Sequence, residues 1–251
     1  MGIAKQEAQI KQIDALHGQL ATYRPYEGDR LVQLRKYYRL GLTWTSNAIE
    51  GSSYTESETK ILLEDGITVA GKTLRETMAA LGHAKAYDYM FTLIGKKGVS
   101  EQDILAMHGM LDGGMETGTA GEYRTTAVFI TGTTFKFPPA GEIPVLMQTL
   151  FTQTMPVLAS LHPVVQSAKI HKEIVTTHPF SDGNGRVARL AMNTLLIQHG
   201  YMPVQIYPVI RQDYIDSLRC AQTQGDDSDF IELILQQEIE SQKEILRIIK
   251  E

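Results

Sequence analysis

Apolar residues recur at the helical period along almost the whole of this 251-residue chain, and one stretch alone breaks the pattern. Ile10, Ile13, Leu16 and Leu20 mark the face of a first helix over Ile3 to Leu20; Pro25 interrupts it before a long amphipathic run from about Asp29 to Ala48. Thr55-Glu56-Ser57-Glu58 has the form of a capping box, which predicts a short helix to Leu63 stopped at Asp65-Gly66. Further helices are expected over Leu74 to Ile94, from Ser100-x-x-Asp103 to Leu111, over Glu142 to Ala159 with an end or bend at Pro156, and over Val164 to Thr177. Val187 to His199, Arg211 to Gln224 and Ser228 to the C-terminus complete the set, with Gly200 as a stop and Pro203 and Pro208 in an extended connection. The exception begins where glycine appears four times between Asp112 and Gly121. Beyond it, 127–130 and 135–137 read as two short strands about Thr131-Gly132-Thr133-Thr134, closed by Pro138-Pro139. One mostly helical domain with an inserted hairpin is the expectation, with a helical N-terminal extension packed on it.

Composition narrows what such a bundle could bind. The formal net charge is −5 with a pI near 5.8, so no global field favours nucleic acid or an anionic membrane, and any anion site has to be local. Cys220 is the single cysteine, which excludes an internal disulfide framework and a cysteine-based zinc site and suits a reducing cytoplasm. No apolar run approaches the length of a spanning helix and the N-terminus is polar, so a cytoplasmic protein with no membrane partner is expected.

The local anion site is legible between His178 and Arg189. Gly183 and Gly185 flank Asn184 and let the backbone approach an anion, and the helix that follows points its opening amides the same way. Arg186 and Arg189 are three residues apart on one helical face, where forked donors grip phosphate oxygens. Asp182 is a hard oxygen ligand of the kind Mg2+ uses beside phosphates, and His178 is the obvious proton acceptor.

The string His178-Pro179-Phe180-Ser181-Asp182-Gly183-Asn184-Gly185-Arg186-Val187-Ala188-Arg189 resembles the signature of the Fic (filamentation induced by cAMP) family, with every fixed position matched. The resemblance implies an all-α, Fic-type helical domain: residues 1–68 as an N-terminal helical region, and 69–251 as the catalytic core and C-terminal helices, with a β-hairpin flap at about 127–139. It implies ATP as substrate with Mg2+ on Asp182, and transfer of AMP to a Tyr, Thr or Ser hydroxyl of a protein target. His178 would act as base, and Asn184 with the amides from Gly183 to Gly185 would receive developing charge. Arg186, Val187, Ala188 and Arg189 would complete the phosphate cradle, and Phe180 would anchor the loop in the core. Gly121-Glu122-Tyr123-Arg124 leading into Val128, Phe129, Ile130 and Thr131 resembles the flap, which would hold a target segment by main-chain pairing. The segment from Arg211 resembles the helix lining the base pocket, with Tyr214 to stack on a purine, Ile215 beside it and Gln222 bonding the sugar or base edge.

Ser46-Asn47-Ala48-Ile49-Glu50-Gly51 is similar to a second element of the family, an inhibitory motif, placed here N-terminal to the core. Ser46 and Glu50 are four apart at a helix end stopped by Gly51, so hydroxyl and carboxylate share a face. The resemblance implies that Glu50 pairs with Arg189 and displaces the γ-phosphate. Removal of AMP by a Glu50-oriented water, or nucleotide sensing without turnover, are the rival readings, and self-association into a homodimer could clamp the inhibitory helix.

Overall fold

The computed structural model describes residues 2–111 and 119–250, and most of the glycine-rich stretch after Leu111 lies outside them. Helix α1 (Gly2–Ala21) runs along α11 (Ser228–Lys250), while α2 (Gly28–Ile49) crosses to α4 (Leu74–Thr92). Between α2 and α4 sits α3 (Glu56–Lys60), continued by one wide turn of π-helix to Asp65 and stopped by Gly66 in the left-handed conformation. Its capping box forms as the sequence predicts, Thr55 accepting from the Glu58 amide and Glu58 reaching back to the Thr55 amide. Thr73 and Glu76 repeat the device at the start of α4, and Ser100 with Asp103 open α5 (Glu101–Leu111).

Pro156 has the effect expected of it. After α6 (Ile143–Thr149) the chain widens into a π turn over Leu150–Thr154, and α7 (Met155–Leu158) ends two residues beyond the proline. Two helices then build the centre: α8 (Pro163–Thr177) and α9 (Asn184–Gln198), packed against each other. Twelve of the fifteen residues of α9 are buried, so it is wrapped on every side. Val187, Ala188, Leu190, Ala191 and Leu195 face the larger core with α4 and α5; Met192 and Leu196 face a second core with Phe230, Ile234 and Ile239 of α11. Helix α10 (Arg211–Gln224) closes the second core through Tyr214 and Leu218. None of the described helices is long and apolar enough to cross a membrane.

The hairpin does not form, and the described residues contain no strand. Residues 125–139 are an irregular loop whose two ends are held by one guanidinium: Arg124 donates from Nη1 to the Thr126 carbonyl at 2.9 Å and from Nη2 to the Pro138 carbonyl at 2.6 Å. Thr133 Oγ1 accepts from the Phe135 amide, a local bond that competes with a cross-strand ladder. A two-stranded ribbon lying alone is marginal in water, and this one has no third strand to pair with.

Candidate active site

The signature loop begins with backbone strain. His178 ends α8 at φ 50°, the one non-glycine residue with positive φ among those described. Its amide still donates to the Ile174 carbonyl at 2.9 Å, and its own carbonyl accepts from Arg124 Nε at 2.7 Å, so neighbours on both sides impose the turn. The imidazole packs against Phe137 at 4.6 Å between ring centroids. Burial pushes the His178 pKa down to about 4, and Arg124 adds to the effect. At neutral pH the ring is therefore uncharged and able to accept a proton.

Asn184 takes a different role from the one the sequence suggests. Its Oδ1 accepts from the Phe180 amide at 2.9 Å and its Nδ2 donates to the Phe180 carbonyl at 2.8 Å. With the residue 3% exposed, that side chain clamps the loop closed rather than facing a substrate. Phe180 anchors the loop in the core as expected, wholly buried and stacked on His108 with 3.8 Å between centroids. His108, which the sequence did not single out, accepts at Nδ1 from the Gly121 amide, which leaves Nε2 protonated to donate to the Asp182 carbonyl. Helix α9 also starts three residues earlier than predicted, at Asn184, with Gly183 as its cap at φ 78°. Val187 and Ala188 point wholly into the core, and the Val187 amide is committed to the Gly183 carbonyl, so neither belongs to the phosphate cradle.

Ser46 and Glu50 meet Arg189 as the motif implies. Arg189 donates from Nε to Ser46 Oγ at 2.9 Å, and from Nη2 to the Ser46 carbonyl at 3.0 Å and to Glu50 Oε1 at 2.6 Å. The same carboxylate lies over the first turn of α9: a Cβ added at Gly185 would stand 2.5 Å from Glu50 Oε1. Glu50 thus occupies the place where a helix N-terminus attracts an anion. Arg211 Nε holds the Ile49 carbonyl at 2.7 Å and fixes the end of α2 above the site.

Tyr214 offers no face to a purine, since it is 2% exposed and its ring packs with Phe230 and His171. Its hydroxyl accepts from Arg189 Nη1 at 3.2 Å and so donates to His171 Nε2 at 2.9 Å. Burial, and then the Arg189 charge, keep His171 well below the ordinary histidine range; burial with Arg189 and Arg186 takes His83 down to about 3. Two uncharged imidazoles therefore sit near the guanidiniums without adding to their charge. Ile215 and Gln222 are half-buried on α10, with no contact that draws them to Arg189. Val128 is half-buried, while Phe129, Ile130 and Thr131 are exposed on the loop, and neighbouring Gly132 approaches Arg219 of α10.

Asp182 is the one acidic group inside the signature. Partial desolvation would raise its pKa, but the Arg186 charge, the Gly183 amide and Arg75 outweigh it and hold this largely exposed carboxyl below its ordinary value. Arg75, on the first turn of α4, donates to Oδ2 at 3.1 Å, and Arg186 Nη2 stands 3.4 Å from the same oxygen. No group of three or more potential metal ligands occurs among the described residues. A lone, exposed carboxylate fits a Mg2+ ion that arrives with phosphate oxygens and keeps its waters, not a resident ion held by protein alone.

Residues 98–196 match the model of the Fic/DOC family. The chain is 33% identical over 235 residues to Protein adenylyltransferase Fic of Drosophila willistoni, covering 92% of this chain and 45% of the relative. It is 37% identical over 193 residues to the protein of the same name from Aedes aegypti, covering 75% and 38%. Among solved structures, Fic-1 of C. elegans (residues 134–508) superposes with a TM-score of 0.83 at 26% identity, covering 98% of this chain and 73% of that one. The chain spans less than half the length of these two insect relatives.

Proposed function

This chain belongs to the Fic/DOC family, and we propose on that premise that it transfers AMP from ATP to a hydroxyl side chain of a protein, restrained by its own Glu50. The observation that carries the reading is the convergence at one helix start of an uncharged imidazole, two guanidiniums and opening amides, with a carboxylate lying among them.

The target hydroxyl oxygen attacks the α-phosphorus while His178 takes its proton, and pyrophosphate departs. A depressed pKa keeps His178 in the accepting form throughout the physiological range. The amides at the start of α9 receive the developing charge on the α-phosphate, donors typically worth ~3 kcal/mol each at a transition state. Arg186 and Arg189 align the β- and γ-phosphates. Asp182 would hold Mg2+, which when bound neutralises charge on the triphosphate.

Glu50 opposes this twice, by holding Arg189 and by filling the anion position over Gly185. The pair is unequal in burial, with the Arg189 side chain 6% and the Glu50 side chain 43% exposed, so its net contribution to stability is small. Its effect lies in position, since a phosphate displaced by about 1 Å can cost ~10²-fold in rate. Incubation with α-labelled ATP and Mg2+ tests this: Glu50→Gly should label protein roughly 10²-fold more than wild type, and His178→Ala should abolish labelling. Equal labelling by wild type and Glu50→Gly would overturn the inhibitory assignment, and labelling by His178→Ala would remove the base. A second reading rests on Glu50 Oε2, which has no hydrogen-bond donor among the described residues and could orient a water. Release of AMP from a modified protein by wild type, lost in Glu50→Gly, would favour that reverse reaction.

A further inference from the structure

Away from the signature, the first half of α2 does not close fully on the core. A cavity of about 250 Å³ lies between Leu31 and Leu34 of α2, Phe91 at the end of α4, Ile197 at the end of α9, and Met202. Its walls are mainly apolar, and two guanidiniums, Arg24 and Arg35, line it without any carboxylate beside them. Neither arginine has a salt-bridge partner among the described residues. Arg35 instead lies over the Phe91 ring at 4.7 Å and Arg24 over the Tyr26 ring at 5.5 Å.

The polar groups at the Arg24 end are also unmatched. Arg24 Nη2 donates to the Gly200 carbonyl, but Arg24 Nε and the Tyr26 hydroxyl, both buried, have no hydrogen-bond partner. A buried donor without an acceptor carries a cost that a bound acceptor removes. Glu238, a carboxylate whose titration Arg24 influences, does not answer that charge. It is wholly buried and already accepts from the Met202 amide and from Gln242 Nε2, and burial raises its pKa to about 8, so it is mostly neutral at pH 7.

We propose that this cavity is a binding site for a small apolar carboxylate, a medium-chain or aromatic acid. Its hydrocarbon would fill the space between Leu31, Leu34 and Ile197, and its carboxylate would meet Arg24 and Arg35. Apolar walls with a few convergent polar groups are the usual make-up of a small-molecule site, and the sign of these groups selects an anion. Because one wall is α2, whose far end carries Glu50, an occupant joins the inhibitory helix to the core at a point distant from Arg189.

Octanoate, octylamine and octanol serve as probes on the full chain, read by thermal unfolding and by hydrogen exchange. Saturating octanoate should raise Tm by about 5 °C and slow exchange across 28–42. Octanol should give a smaller rise and octylamine none. Arg35→Gln, at an exposed position, should weaken octanoate binding at least tenfold, and Leu31→Trp should fill the space and abolish the shift. No octanoate shift in wild type, an equal shift with octylamine, or a shift surviving Leu31→Trp would each overturn the site. None of these measurements involves ATP, so the outcome stands apart from that of the adenylyl-transfer reading.

Discussion

Ser46 and Tyr214 hold the same guanidinium from opposite sides, and their loss should have opposite effects. Ser46 lies on α2 beside Glu50, so under the proposed inhibition Ser46→Ala removes one of the bonds that α2 makes to Arg189 and leaves the start of α9 unchanged. Labelling from ATP should rise to an intermediate level between wild type and Glu50→Gly. Tyr214 lies in the wall behind Arg189 and accepts from Nη1, a different nitrogen from the Nη2 that Glu50 holds. In a Glu50→Gly background, Tyr214→Phe should lower kcat/KM for ATP about tenfold, the order of one hydrogen bond to a charged group. An unchanged value would show that Arg189 is aligned without its hydroxyl. His178, Asp182, Arg186 and Arg189 were readable from their spacing, because they lie within a few residues of one another, while Ser46 and Glu50 were picked out by the resemblance of 46–51 to a family motif. His108, Arg75, His171 and Arg211 were not. Each bonds a partner at least 43 residues away in sequence, and no local pattern marks a side chain whose partner is set by helix packing.

At the scale of elements, the sequence located most helices through caps and breakers, and it failed at two places where side-chain hydrogen bonds to the backbone override local preference. Helix α9 begins at Asn184 because the Asn184 side chain and the Gly183 cap close the loop onto Phe180, giving the helix an earlier start than its first apolar residue suggests. The loop at 125–139 has an apolar run at 127–130 and phenylalanines at 135 and 137, yet the Thr126 and Pro138 carbonyls at its two ends go to Arg124 and no ladder joins them. Arg124 also holds the His178 carbonyl at 2.7 Å, so the loop and the strained His178 backbone share one anchor. Arg124→Gln should therefore raise hydrogen exchange across 125–137 at least tenfold. It should also lower transfer in a Glu50→Gly background while leaving Tm within a few degrees. Unchanged exchange in that loop would show that its shape is held by other contacts.

For the whole molecule, buried ionisable groups set a stability profile that no single element reveals. His178 at about 4, His83 at about 3 and His171 well below the ordinary range all lie under their unfolded value of 6.5. Between about pH 4 and 6.5 the unfolded chain holds protons that the folded one does not, so these histidines make stability rise with pH. Glu238 works the other way, since its pKa rises from 4.5 to about 8 in the fold and stability is lost as pH increases across that window. His17, lowered by burial and then by Arg24, adds in the same sense, so the histidines outweigh Glu238 below 6.5 and Glu238 dominates above it. Denaturant unfolding should show a maximum near pH 6.5 and a fall of about 2 kcal/mol by pH 8. Glu238→Gln should flatten that fall, and a native profile still rising from pH 6.5 to 8 would refute the assignment. Helix periodicity, the caps and the clustering of charged and glycine residues from His178 to Arg189 are determined by the sequence itself, because each depends on residues within one or two helical turns. The tertiary structure alone decides that Glu50 rests over Gly185, that Tyr214 serves Arg189 instead of a base, and that Arg124 replaces a strand ladder. Those outcomes depend on which buried polar groups find partners, and the partners lie on other helices.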